Sequence, residues 1–234
     1  MKHRLIFLYF LVIQVITLRA QYSMGMMGQM NIPTADMQPA GTFMGGGNFL
    51  PKQLHHKGFD YNTWNYFVNM TFFSFLEINY KCTLQKTYYM TNKAKFNNQD
   101  RSFSAKIRLL KEKKYYPAIA FGVNDPYEHE GMNYYASVYG IVTKNILPGK
   151  QHELSLSLGY YHPLNDYSIQ NGIFGGLRYT PAFLKPLSVM AEYDSAGFNI
   201  GAAAKLWNRV SLHLFTREFK CISGGMRYEF TLIH

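Results

Sequence analysis

The chain is poor in cysteine, in charge and in long apolar runs. Cys82 and Cys221 are its two cysteines in 234 residues, too few for the disulfide framework that staples small secreted domains. Charged residues make up 16%, against about 25% in an average soluble domain, so much of the surface must face something other than water. Acids are scarcer than bases, 14 against 24, and the formal net charge is +10. Beyond Leu18 no uninterrupted apolar stretch approaches the roughly 20 residues of a membrane helix, which leaves a closed barrel as the one structure able to cross a bilayer. No phosphate-binding glycine loop, dinucleotide fingerprint, HExxH or CxxC occurs.

What the chain does have is apolar side chains, 47%, with 17% aromatics. Lys2, His3 and Arg4 precede an apolar run from Leu5 to Leu18 that Arg19, Ala20 and Gln21 close. This is the pattern of a secretory signal peptide, expected over residues 1–20. No cysteine follows it, so no lipoprotein anchor is expected. An exported protein of net charge +10 meets acidic glycans or lipopolysaccharide rather than nucleic acid.

The remaining apolar residues alternate with polar ones. Leu154, Leu156, Leu158 and Tyr160 lie opposite Glu153, Ser155, Ser157 and Gly159. Phe198, Ile200, Ala202, Ala204 and Leu206 lie opposite Asn199, Gly201, Ala203 and Lys205. The same period of two recurs near Ile78, near Phe103, from Val210 and from Ile222, and it marks strands with one apolar face. Soluble sandwiches alternate too, but here wide and tight connections also take turns, as they do in membrane barrels. The spacing predicts about twelve antiparallel strands, an even number that brings both chain ends to one side. A Met- and Gly-rich lead runs from Ser23 to Met30. The expected organisation is a signal peptide (1–20), a periplasmic N-terminal arm or plug (21–40) and a transmembrane β-barrel of the outer-membrane type (41–234).

Strand parity sorts the charges. Glu77, Lys81, Lys106, Arg108, Arg178, Glu192, Asp194, Lys205, Arg217, Arg227 and Glu229 are expected in the lumen, because charge cannot face lipid cheaply. They form either a cross-barrel network filling a narrow interior or a basic-biased path for an anionic sugar chain. Parity points Cys82 outward and Cys221 inward, so no bond is expected between them. Arg101 closes a long outer loop from Gln85 and is a candidate glycan contact.

Signals for catalysis are weak. Ser211 and His213 share the inward face with Asp194 nearby, but alternation alone produces such an i, i+2 pair, and a triad is defined by geometry. Glu128, His129 and Glu130, like His55 and His56, read as solvated loop residues rather than metal ligands. No catalytic residue, metal or cofactor is expected.

Several stretches, taken in order, resemble the YjbH family of exopolysaccharide-associated outer-membrane proteins. They are NIPTADMQPAGTFMGGGNFL from Asn31 to Leu50, FLEINY from Phe75 to Tyr80, NQDRSF from Asn98 to Phe103, YPAIAFGVND from Tyr116 to Asp125 and YASVYGIVTK from Tyr135 to Lys144. The resemblance implies a barrel of the Gram-negative outer membrane tied to synthesis or export of surface polysaccharide. It supplies no catalytic residue, and longer members carry additional barrel and periplasmic regions. The expected function is non-enzymatic assistance to exopolysaccharide or capsule export, with outer-membrane lipids, an anionic surface polysaccharide and periplasmic export components as partners. A small general or sugar-selective porin and an outer-membrane lipid hydrolase are the alternatives.

Overall fold

Alternating side chains put one face of every strand in an apolar medium, and closing the sheet leaves no backbone edge to satisfy. The computed structural model describes residues 23–55, 59–87, 93–127, 133–147 and 152–232. Twelve strands form one closed barrel: β1 (Thr42–Leu50), β2 (Thr63–Phe73), β3 (Leu76–Thr87), β4 (Lys95–Leu110), β5 (Ala118–Asn124), β6 (Ser137–Ile146), β7 (Glu153–Pro163), β8 (Gly172–Thr180), β9 (Leu187–Tyr193), β10 (Phe198–Leu206), β11 (Val210–Arg217) and β12 (Cys221–Thr231). Each pairs antiparallel with its chain neighbours, and β1 closes on β12 from Thr42↔Thr231 to Phe49↔Gly224. Among the described residues no helix is long and apolar enough to cross a membrane.

Both β1 and β12 reach the same rim, here the terminal end. The opposite rim, the loop end, carries the connections that follow β1, β3, β5, β7, β9 and β11. At the terminal end a two-residue turn, Ser74 and Phe75, joins β2 to β3.

The outside of the barrel carries an apolar belt. Val68, Ile107, Phe121, Leu158, Ile173, Ile200, Leu214 and Met226 are all exposed there. Exposed aromatics gather toward both rims, among them Phe73, Tyr115, Phe183 and Trp207 at the terminal end and Trp64, Tyr160 and Phe198 at the other. Rings of amphipathic aromatics flanking an apolar band match the two interfaces of a bilayer. Residues of opposite parity are buried in the lumen, including Asn65, Asn69, Glu77, Lys81, Lys106, Ser157 and Arg227.

The interior is filled by the chain's own lead. Met24, Met26, Met27, Met30, Ile32, Ala35 and Met37 are each at most 2% exposed. Residues 23–38 therefore run inside the barrel, and Pro39 and Ala40 emerge at the terminal rim. Met24, Met26 and Ile32 pack with Tyr134, Tyr139, Tyr161 and Phe174 from the barrel wall, while Met30 packs with Met190, Ala203 and Phe215. Unbranched methionines suit such a filling because they adapt to irregular gaps. Glycine makes the room. A Cβ at Gly122 would lie 2.2 Å from the Tyr139 ring, and one at Gly201 would lie 2.7 Å from Met30 Sδ.

One boundary departs from the expected pattern. Residues 95–101, expected in a long outer loop, extend β4, so the β3–β4 hairpin stands well above β5. Beyond the lipid there is no reason for polarity to alternate, and the polar run from Asn97 to Arg101 hides a strand from a test based on alternation. Both described cysteines are free.

Candidate functional site

A peptide held inside a barrel must have its backbone N–H and C=O groups satisfied without water. Here the inward charges and amides of the wall do this in three tiers. In the middle, Lys106 Nζ lies 2.8 Å from Glu77 Oε2, with both side chains fully buried. The same ammonium donates to the carbonyls of Met27 (3.0 Å), Thr34 (3.0 Å) and Asp36 (3.2 Å). Glu77 Oε1 accepts from Met27 N at 2.8 Å and from Asn69 Nδ2 at 2.9 Å. One ion pair on neighbouring strands thus grips both limbs of the arm.

Toward the loop end, Glu192 accepts from the backbone N–H groups of Met30 (3.0 Å) and Asn31 (2.6 Å). Asp194 takes Asn31 and Arg217 as close partners, and Asn199 donates to it at 3.0 Å. Toward the terminal end, Glu229 is shared by Lys205, Arg227 (3.2 Å) and Gln38 (3.1 Å). Arg178 lies 3.9 Å from Asp36, and Thr143 Oγ1 accepts from Ala35 N at 2.9 Å. Asn48 and Asn65 both donate to Ser23 O, at 3.0 and 3.1 Å, and Asn79 donates to Met24 O at 2.7 Å.

Of the expected lumen residues, Glu77 and Lys106 meet as a pair, Lys205, Arg227 and Glu229 form a cluster, and Arg217 joins Asp194. Glu192 and Arg178 are spent on the arm. Lys81 stands with its ammonium 3.8 Å from the centre of the Tyr135 ring, a cation–π contact. The charges do not simply bridge the lumen to one another, because a peptide occupies the middle and offers closer backbone partners.

Two of the expected residues lie at the rims. Arg108 keeps the inward register, opposite the buried Ala120, but sits half-exposed at the terminal rim, donating to Ser74 O at 2.6 Å where the β4–β5 register slips. The tight β2–β3 turn leaves that carbonyl to be satisfied, and a rim guanidinium keeps its contact with water. Arg101 is not in a loop but on β4 opposite Cys82, exposed on the outer face.

Ser211 and His213 do face inward, but Ser211 Oγ is the acceptor for Arg227 at 3.4 Å. Asp194 is engaged by Arg217 and Asn199 at the far rim. No relay joins the three among the described residues. His55 packs on Phe59 with ring centroids 4.5 Å apart, whereas His56, Glu128, His129 and Glu130 lie outside the described residues. Among the described residues no group of three or more His, Cys, Asp or Glu is placed to hold a metal ion.

What sequence reasoning missed was the amide set Asn48, Asn65, Asn69 and Asn79. All four have inward parity on β1 to β3, which was the available signal. At the loop end it also missed Asp125, just past β5, with backbone φ of 45°. Burial pushes its carboxyl up to about 7, with Lys81 opposing the shift and Asp100 adding to it.

Residues 20–171 match the YjbH family, described as exopolysaccharide biosynthesis protein YbjH. The chain belongs to this family. No curated protein gives a match. Among solved structures, an outer membrane channel from Pseudomonas putida F1 is similar over 86% of this chain and 99% of that one, at 9% identity and a TM-score of 0.45. The YjbH chain described here is thus a single closed twelve-stranded barrel whose lumen holds its own N-terminal segment.

Proposed function

We propose that this YjbH protein is a non-enzymatic barrel of the Gram-negative outer membrane that assists synthesis or export of an exopolysaccharide or capsule. The loop end faces the cell exterior and the terminal end the periplasm. Residues 1–20 act as the signal peptide that directs export. The exterior belt suits outer-membrane lipid, and the family ties the chain to exopolysaccharide. The observation that carries the reading is the filled lumen: a wall of buried ions and amides binds peptide backbone where a porin would hold water. A resident segment of this kind makes the barrel a regulated or assembling component that works with periplasmic export partners, and the inward charges serve the arm first.

A deletion strain scored for surface glycan tests this. Loss of the coat, restored by the wild-type chain, is the expected result; an unchanged coat sinks the reading. A porin remains the second reading because the wall is polar once the arm is set aside. Purified protein in a planar bilayer separates the two, since a large, steady current from the intact chain belongs to a porin.

A further inference from the structure

At the loop end β4 runs on past the end of β5. Residues 95–103 stand beyond the last β4–β5 pair, Ser104↔Asn124. The step between them holds a cleft of about 1120 Å³, whose lining includes Gln85, Phe96, Asn98, Arg101, Asp125 and Tyr127. It exceeds the ~300–1,000 Å³ of typical small-molecule sites and has room for several linked rings.

The lining has a particular chemistry. Phe96 and Tyr127 present exposed rings, 48% and 72% accessible, and the side-chain amides of Gln85 and Asn98 stand close enough to bond each other at 3.3 Å. Asp125 is 3% exposed. Its Oδ2 has no hydrogen-bond partner among the described residues, although a buried carboxylate oxygen ordinarily takes one. It therefore lacks a donor that a ligand could supply.

We infer that this cleft is a saccharide-binding site, the rings of a glycan lying on Phe96 and Tyr127 and a hydroxyl donating to Asp125. Flat aromatic faces match the C–H faces of pyranose rings, and short amides both donate to and accept from vicinal hydroxyls. The charges around the cleft are mixed, Asp100 and Asp125 with Arg101, Lys81 acting on both carboxyls and Lys86 Nζ 4.8 Å from the centre of the Phe96 ring, so ring faces and hydroxyls rather than net charge select the ligand. The site rests on the export reading for its biological source but not for its chemistry.

The same chemistry could come from the exported polymer or from lipopolysaccharide core sugars. Full-length processed protein in detergent should be titrated calorimetrically with oligosaccharides from partial hydrolysis of the strain's exopolysaccharide, and separately with delipidated core oligosaccharide. Binding of either supports the site, and the tighter one names its source. Tyr127→Ala and Asp125→Asn should each weaken binding about tenfold while the heat-modifiable gel mobility of the folded barrel stays unchanged. No heat signal with either sugar at about 1 mM overturns the inference. So does wild-type-like binding by both variants, because the sugar then sits elsewhere. Glycan binding by a protein whose deletion leaves the coat intact keeps the site and removes the export reading; the reverse pair of results does the opposite.

Discussion

Lys106 and Glu77 face each other across β3 and β4 as a buried ion pair, 2.8 Å apart, and between them they bind the arm at Met27, Thr34 and Asp36. The pair is therefore a clamp as much as a bridge. Lys106→Met removes the donor to three arm carbonyls and leaves the Glu77 carboxylate without its charge partner. Breaking one side of a buried pair costs about 3–5 kcal/mol. The variant should insert and close as a barrel but pass current in a planar bilayer, whereas the wild type should be silent. Adding Glu77→Gln should recover part of the lost stability without restoring silence. A Lys106→Met protein as quiet and as stable as the wild type removes the clamp.

Gly122 lies under the Tyr139 ring on the adjacent strand, with no room for a methyl group. Tyr139 packs in turn on Tyr161 and Phe174, at centroid distances of 5.7 and 6.4 Å. Gly122→Ala should cost about 1–3 kcal/mol by overpacking, and Tyr139→Leu in the same chain should return much of it. Urea unfolding in lipid vesicles reads both; additive losses in the double variant rule out the steric account.

The twelve strands were legible because lipid outside and peptide inside demand opposite polarity at every second residue. Gly172–Thr180 is bounded in the structure where its alternation begins and ends. The signal fails wherever that demand stops, as at Asn97 to Arg101 on β4, above the lipid and polar on both faces. The inward charges were legible as a set but not in their partners. Parity places Glu192 in the lumen, yet the groups it binds are the main-chain N–H groups of Met30 and Asn31, and every residue type supplies those. The arm was expected as an arm or plug, but its seat was opaque, because Met24, Met26, Met27 and Met30 follow no strand or helix period and are held by wall residues 50 and more positions away in the chain.

Lipid-facing positions should show a cost that depends on depth. Leu158 and Ile200 are 63% and 50% exposed on the outer belt, while Leu147 is 69% exposed in the connection after β6 at the terminal rim. Exposure alone would rank Leu147→Arg as the worst. A bilayer ranks it as the mildest: arginine near the midplane of a barrel costs about 2–4 kcal/mol and near the interface about 0–1. Unfolding free energies in vesicles for the three single arginine variants decide between these orders. Equal costs at all three positions contradict a membrane around the belt.

Asp125 gives the fold a dependence on pH with a defined sign. Its carboxyl titrates near 7 in the folded protein, against 3.8 ordinarily, because burial disfavours the charge; Lys81 opposes this and Asp100 reinforces it. Between those values the folded chain holds a proton that the unfolded chain has lost, so stability falls as pH rises through the window. Below about pH 4 both states are protonated and the contribution is fully present; above about 7 it is gone. Asp125→Asn has no proton to lose, while Lys81 and Asp100 stay in place in both proteins. The stability of wild type minus variant should therefore decline from pH 5 to about pH 7 and level off by pH 8. Parallel urea midpoints across that range show instead that Asp125 is already ionised at pH 5, with a donor in the cleft that satisfies it.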